Sequence, residues 1–371
     1  MANRIFIVAF AAAAVLAGCN PGDGSAELEA GKAAYELRDL VKAAKSFEKC
    51  AEIAPGNVDA FVYLARVWLE LGELPKAREA VKSALLLEPN ATDARILSAQ
   101  LSWHERDYQR AAEIYLSMAN DAQLDDAVRS QAWTGAGIVE VMLDRPHYAR
   151  IDYLRAIRLD RRNASAWYHL GRLYRDGLGY MEAALEQFEF YVRIEKDADV
   201  RVQKVQRDVI PALKQSISNV LMQRPGVDRR DSSAASDRLA KAEAAVKKGN
   251  YKTAQKEYEA ALALDPISYP AALGLAKVLE RTDARKALEH YRLACQLSPS
   301  AVSTFNRTGA LAAKLGMNGI AEQVYSRAVA ANPASLESLD GLIRALRKNN
   351  QAKVAQAYQL YRDAVAAKRR K

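Results

Sequence analysis

The sequence WYHLGRLY, from Trp167 to Tyr174, decides the fold of this chain. It has the pattern W-x2-L-G-x2-Y, with a glycine placed among large side chains. Such a phrase is either a local accident or one copy of a repeated unit. Repeat proteins are recognised by sequence similarity that recurs at a fixed spacing. A second pattern in this chain recurs at such a spacing.

An alanine followed four residues later by an aromatic side chain recurs along the chain. The pairs are Ala43/Phe47, Ala111/Tyr115, Ala149/Tyr153, Ala184/Phe188, Ala254/Tyr258, Ala287/Tyr291 and Ala321/Tyr325. Ala77 joins the series with Val81 in the aromatic position, and the alanines then lie 34, 34, 38, 35, 70, 33 and 34 residues apart. This period predicts pairs of helices that stack on their neighbours, because a single pair cannot bury its apolar face alone.

Together the two patterns resemble the tetratricopeptide repeat, whose first helix carries W-x2-L-G-x2-Y and whose second carries A-x3-aromatic. The resemblance extends from about Ser25 to Pro333 and implies an all-α fold, a superhelical solenoid of helix-turn-helix repeats. Small residues are expected where helices cross, and Cys50 is interpreted as one of them. Several repeats end at a proline, because proline cannot continue a helix. These prolines are Pro55, Pro89, Pro266, Pro299 and Pro333.

The spacing of the repeats predicts a division of the chain into blocks. An N-terminal block of about five repeats is expected at 26–196, and a block of three repeats plus terminal helices at 238–371. Between them, 197–224 keeps helical periodicity without the alanine–aromatic pair, which fits a degenerate repeat or capping helices kinked near Pro211. Proline, glycine, serine and charge in 225–237 predict a linker.

The N-terminal residues resemble the leader of bacterial lipoproteins. The uncharged run Ile5–Leu16 is too short to cross a bilayer, which takes about 20 residues, and fits the apolar region of an export signal. Leu16-Ala17-Gly18-Cys19 resembles the lipobox. The resemblance implies a signal peptide at 1–18, a lipid on Cys19 and a tether at 19–25. The alternative is an unmodified cysteine in an ordinary signal or anchor.

Neither composition nor motifs indicate catalysis. The formal net charge of +9 favours anionic surfaces but says nothing about the fold. The sequence contains no phosphate loop, no H-E-x-x-H and no G-x-S-x-G. We therefore expect no enzyme, no metal site and no cofactor other than the lipid on Cys19. The four histidines lie in four different repeats, and their spacing is not that of metal ligands. They are His104, His147, His169 and His290.

In the repeat family, ligands usually lie along the concave face that the first helices form. Projecting that pattern onto this chain predicts a groove with a basic bias, although acidic residues interrupt it. Each residue alone is more often a solvated charge than a contact, whereas several cations together favour an anionic partner. The predicted groove residues are Lys32, Tyr35, Arg66, Trp103, His104, Tyr168, Arg172, Arg175, Lys277, Arg307, Arg344 and Arg347.

These features imply a lipid-anchored scaffold that binds other proteins of the cell envelope, at the outer membrane and facing the periplasm. The resemblance favours help in assembling a pilus or secretin, as pilotins give. The alternatives are an adaptor for peptidoglycan hydrolases and a lipoprotein that exports or binds acidic polysaccharide. No nucleic acid and no small-molecule substrate is expected. The basic end at 366–371 fits either the helix dipole or a second contact with anionic lipid.

Overall fold

The computed structural model describes residues 24–195 and 200–369, and within these ranges the regular elements are all helical. Cys19 and the rest of the predicted leader lie outside the described residues. The chain divides into two compact units, the first ending at Asp144 and the second beginning at Arg145. Among the described helices, none has the length and apolarity needed to span a bilayer.

The first unit consists of three helix pairs and a seventh helix, joined by short turns. Asn57 and Asp107 show how the helices begin: each side-chain oxygen accepts a hydrogen bond, at 3.1 Å, from the backbone N–H three residues later. The helices are α1 Ser25–Glu36, α2 Leu40–Ile53, α3 Val58–Glu70, α4 Leu74–Leu87, α5 Thr92–His104, α6 Tyr108–Ala119 and α7 Asp126–Met142.

The second unit continues the same pairing on both sides of an irregular segment. Its helices are α8 Pro146–Leu159, α9 Ala164–Arg172, α10 Met181–Ile194, α11 Val200–Lys204, α12 Ile210–Met222, α13 Ser232–Lys247, α14 Tyr251–Leu264, α15 Tyr269–Leu279, α16 Ala284–Leu297, α17 Val302–Lys314, α18 Asn318–Ala331, α19 Leu336–Lys348 and α20 Ala352–Arg369. The first helices of the repeats are α1, α3, α5, α7, α9, α13, α15, α17 and α19. The second helices are α2, α4, α6, α8, α10, α14, α16, α18 and α20.

The alanine–aromatic pattern is the packing contact between these helices. Every alanine of the series is completely buried. The aromatic ring of a second helix lies against a glycine of a first helix: a Cβ on Gly274 would stand 2.3 Å from the Tyr258 ring, and one on Gly171 would stand 3.0 Å from the Phe188 ring. The glycine in the phrase WYHLGRLY therefore makes room for a ring. This confirms the predicted all-α fold of helix-turn-helix repeats.

The irregular segment at 200–231 is largely helical. A π-helical turn at Val205–Val209 joins α11 to α12 immediately before Pro211, whose missing N–H removes one backbone hydrogen bond of a regular helix. Inside the predicted linker 225–237, Val227 is buried. The backbone N–H of Asp231 donates to the carbonyl oxygen of Leu264 at 2.8 Å, and α13 begins at Ser232. These contacts hold the segment against the repeat that follows.

The C-terminal helices of the second unit fold back onto its beginning. Arg158 on α8 donates from Nη1 to the carbonyl oxygen of Ala364 on α20 at 2.8 Å. Arg327 on α18 pairs with Glu182 on α10, with Nη2 and Oε2 3.3 Å apart. A simple solenoid has contacts between neighbouring repeats only. Because of this return, the repeats after the predicted linker share one compact unit with those at 146–194. The predicted division into repeat blocks at 26–196 and 238–371 stays a prediction.

Candidate partner-binding groove

A cavity of about 690 Å³ lies in the first unit between the first helices α3, α5 and α7. Three of the predicted groove residues, Arg66, Trp103 and His104, line it. Its apolar surface includes Leu69 on α3, Leu97 on α5 and Ile138 on α7. The structure thus brings together groove residues that the sequence places in two successive repeats.

The cavity wall on α5 is aromatic. The rings of Trp103 and His104 meet edge to face, with centroids 5.0 Å apart and planes at 89°. The indole N–H of Trp103 is buried and has no hydrogen-bond partner among residues 24–195 and 200–369. An unsatisfied buried donor costs about 1–3 kcal/mol, so a ligand oxygen that reached this N–H would offset that cost.

The predicted residues of α1 connect to the same face through α3. The Lys32 ammonium and the Arg66 guanidinium each lie 5.6 Å from the centroid of the Tyr63 ring. The hydroxyl of Tyr35 donates a hydrogen bond to Glu70, which also lines the cavity. Burial, reinforced by this carboxylate, raises the pKa of Tyr35. All five predicted groove residues of the first unit therefore belong to one connected surface on α1, α3 and α5.

Sequence reasoning missed the apolar floor and the structural part played by Glu70. Glu70 Oε2 also accepts from Arg38 Nη1 at 2.8 Å, so Glu70 links α3 to Tyr35 on α1 and to Arg38 in the turn after α1. Tyr35 and Glu70 lie 35 residues apart, one residue more than the 34-residue repeat from Ala43 to Ala77. Residues separated by about one repeat are neighbours on the first-helix face, and this spacing is the signal that could have identified the pair.

Tyr168, Arg172 and Arg175 form a separate group in the second unit. Arg175 Nε lies 2.6 Å from Asp176 Oδ1, and Arg172 Nε lies 3.7 Å from Oδ2 of the same carboxylate. The hydrogen bond from Arg175 lowers the pKa of Asp176. The Tyr168 ring is covered by Arg201, whose guanidinium is 5.4 Å from its centroid. Two of the cations predicted to attract an anionic partner are therefore partly neutralised.

The remaining predicted residues lie after the irregular segment. Arg307 Nε donates to Glu280 Oε2 and to the Tyr291 hydroxyl, both at 2.9 Å, and lines a cavity of about 430 Å³. Lys277, Arg344 and Arg347 are exposed. The structure thus distributes the predicted groove over several groups, and the extent of a single binding surface stays a prediction.

Two of the histidines, His147 and His169, are largely buried in the second unit. Burial lowers the pKa of His147 to about 4, with Arg150 acting in the same direction. Burial also lowers the pKa of His169 to about 4, helped by Arg172 and Arg201. Over the part of the chain that the structure describes, no group of three or more His, Cys, Asp or Glu side chains is arranged to hold a metal ion.

Three segments of the chain, 28–101, 164–197 and 239–302, match family models described as tetratricopeptide repeat. Tetratricopeptide repeat protein 37 of Xenopus laevis is 28% identical over 169 residues, which are 45% of this chain and 11% of that protein. Human protein O-mannosyl-transferase TMTC3 is 26% identical over 153 residues, covering 38% of this chain and 16% of that protein. The chain thus spans less than a fifth of the length of these relatives.

Two solved structures are similar over larger shares of the chain. PilF of Pseudomonas aeruginosa is 16% identical, with a TM-score of 0.42, and the alignment covers 67% of this chain and 94% of PilF. PilW, described as a widely conserved type IV pilus biogenesis factor, is 16% identical, with a TM-score of 0.43, and the alignment covers 70% of this chain and 99% of PilW.

Proposed function

We propose that this chain, which is a tetratricopeptide-repeat protein, is a scaffold that binds protein partners in the groove of its first unit. The cavity between α3, α5 and α7 carries the proposal, because Arg66, Trp103 and His104 meet there over an apolar floor. Its volume of about 690 Å³ falls within the range of ligand sites, about 300–1,000 Å³. Arg and Trp are also enriched among residues that dominate binding energy.

The partner is proposed to enter as an extended peptide segment. Apolar side chains would pack on Ile96 and Ile138, which line the cavity and are partly exposed. An acidic side chain would pair with Arg66, for which the structure gives a ring contact with Tyr63 and no carboxylate within salt-bridge distance among the described residues.

The proposed cellular location is based on the N-terminal sequence and on its resemblance to the leader of bacterial lipoproteins. We propose that a lipid on Cys19 holds the scaffold at the outer membrane, facing the periplasm, and that it assists assembly of a pilus, a secretin or a similar envelope machine. The likeness of Leu16–Cys19 to the lipobox supports the anchor. Peptidoglycan-hydrolase adaptors and polysaccharide-export proteins are the alternative settings, and the identity of the captured partner separates them.

Arg66→Glu is expected to lower partner recovery at least tenfold in crosslinking and mass spectrometry from intact cells. The change replaces attraction by repulsion at the centre of the groove, and a loss of 1.4 kcal/mol already corresponds to a tenfold change. Arg110→Glu is the matched control, because Arg110 is an exposed arginine on the second helix α6. Both variants should keep the helical signal of the parent chain.

Equal recovery with Arg66→Glu and with the parent chain would exclude this groove as the binding site. Secretin or pilus components among the captured proteins would support the first setting. Peptidoglycan hydrolases or polysaccharide-export proteins would instead support the corresponding alternative.

Cys19→Ala is expected to abolish fatty-acid labelling and to move the protein from the membrane fraction to the soluble periplasmic fraction. Two or three acyl chains anchor a protein firmly, whereas a single chain gives only marginal binding, so loss of the acylated cysteine should release it. Labelling and fractionation of intact cells test this, with Cys50→Ala as the control. Unchanged labelling and sedimentation would contradict the lipid anchor while leaving the groove proposal intact.

A further inference from the structure

A further cavity exists where the C-terminal helix returns to the start of the second unit. It measures about 480 Å³ and lies between α8, α9, α10 and α20, with the loop after α18 as a further wall. Leu154, Ile157, Phe190, Tyr361 and Val365 give it an apolar interior. The rings of Trp167 and Phe190 stack beside it, with centroids 4.7 Å apart. A chain of methylene groups would find a largely apolar surface here.

Positive charge surrounds this apolar interior. Arg158, Arg161 and Lys368 all line the cavity, and none of them pairs with a carboxylate in the described ranges 24–195 and 200–369. Arg158 donates from Nη1 to the carbonyl oxygen of Ala364, while its Nε is buried and has no hydrogen-bond partner among the same residues. Glu186 is the acidic residue of the lining, and its burial raises its pKa.

The polar groups of the wall suit an anionic head better than a peptide backbone. The cavity contains two side-chain amides, and both already bond to backbone: Gln187 Nε2 donates to the carbonyl oxygen of Ala183 at 3.1 Å, and Asn332 Oδ1 accepts from the N–H of Ala334 at 3.1 Å. A buried peptide would need partners for each of its amides. An apolar chain with a single charged head would need them at one end only.

We propose that this cavity binds an anionic amphiphile, that is, an apolar chain ending in a carboxylate or phosphate, with the head placed among Arg158, Arg161 and Lys368. The site is distinct from the protein-binding groove, because it lies in the other compact unit and is lined by different helices. It also goes beyond the sequence-based expectation, which includes protein partners and a lipid anchor but no small-molecule substrate.

Isothermal titration of the full chain in detergent-free buffer tests the proposal, with decanoate, decyl phosphate and decanol as probes below their aggregation limits. At least one of the two anions should bind at least tenfold more tightly than decanol, because only the charged head meets the cations. The stronger of the two identifies the preferred head group. Failure of both anions to bind, or equal binding of decanol, would overturn the proposal.

Variants separate the two parts of the site. Arg161→Gln with Lys368→Gln removes two exposed charges and should weaken binding of the preferred anion at least tenfold. Arg162→Gln, an exposed neighbour on the same turn, is the control and should leave binding unchanged. Ala331→Phe places a ring in the cavity and should abolish binding of every probe. Unchanged binding in both the double variant and Ala331→Phe would assign the probe to another site.

Discussion

Arg150→Ala is expected to destabilise the docking of α20 onto α8 by about 3 kcal/mol. Arg150 is completely buried, and its Nε donates to the Tyr358 hydroxyl at 2.6 Å. Its Nη1 donates to the carbonyl oxygen and the hydroxyl of Ser326 at 3.1 and 2.8 Å. Alanine leaves a cavity, which typically costs about 2–5 kcal/mol for a large side chain, and it leaves two buried hydroxyls without this donor.

A competing effect reduces that cost, because burying a cation among neutral partners is itself unfavourable. Arg150→Met separates the two effects, since methionine fills much of the space without charge. We expect Arg150→Met to stay within about 1 kcal/mol of the parent chain, because apolar replacement of buried ions is often neutral or stabilising. Equal destabilisation by Met and by Ala would show that the hydrogen bonds, and not the packing, hold α20.

Hydrogen exchange in Ala352–Arg369 measures the effect directly. A loss of about 3 kcal/mol should accelerate exchange of these amides on the order of a hundredfold, since each 1.4 kcal/mol is a factor of ten. Exchange in the first unit should not change. Arg162→Ala, at an exposed position shortly after α8, is the control. Unchanged protection of α20 in Arg150→Ala would show that this arginine does not hold the returning helix.

Acid is expected to destabilise the second unit as the pH falls from about 6.5 to about 4. Burial keeps His147 and His169 neutral and lowers the pKa of each from 6.5 to about 4. Between these values the unfolded chain binds protons that the folded chain does not, so the free energy of unfolding decreases as the pH falls. Each histidine accounts for about 3 kcal/mol once the pH reaches the folded-state value.

Of the two, His169 gives the cleaner test. Glu322 Oε1 lies 3.8 Å from Nε2 of His147 and favours its protonated form, which opposes the effect of burial. His169 instead faces Arg172 and Arg201, and its ring stacks on Tyr153 with centroids 6.0 Å apart. His169→Phe keeps an aromatic ring in this position and removes the titrating group.

Denaturant unfolding at about pH 7 and about pH 4.5 measures the difference. The parent chain should lose more stability between the two pH values than His169→Phe, by about 2 kcal/mol or more. His104→Phe, at an exposed position, is the matched control and should follow the parent chain. An identical pH dependence for His169→Phe and the parent would refute the assignment of His169 as a neutral buried residue.

The candidate groove was predictable only in part. Arg66, Trp103 and His104 follow from the repeat register, because the register fixes which helix face each residue occupies. Pairing between charges is different. Asp176 partly neutralises Arg172 and Arg175, and it does so in a π-helical turn at Leu173–Gly177 that no periodic pattern encodes. The apolar floor was missed because Ile138 and Leu97 look like ordinary core residues until the helices are placed.

The sequence by itself determined the helices, their pairing and the role of the small residues. Those features depend on contacts within one repeat or between neighbouring repeats, whose equivalent residues lie about 34 positions apart. A recurring pattern such as Ala254/Tyr258 and Ala287/Tyr291 is therefore enough to predict them. Only the tertiary structure decided that α20 packs on α8, that Arg150 is buried, and that a charged apolar cavity forms between them. Arg150 and Tyr358 are 208 residues apart. A contact at that separation depends on how each of the intervening repeats packs on the next. No local sequence pattern predicts the combined result.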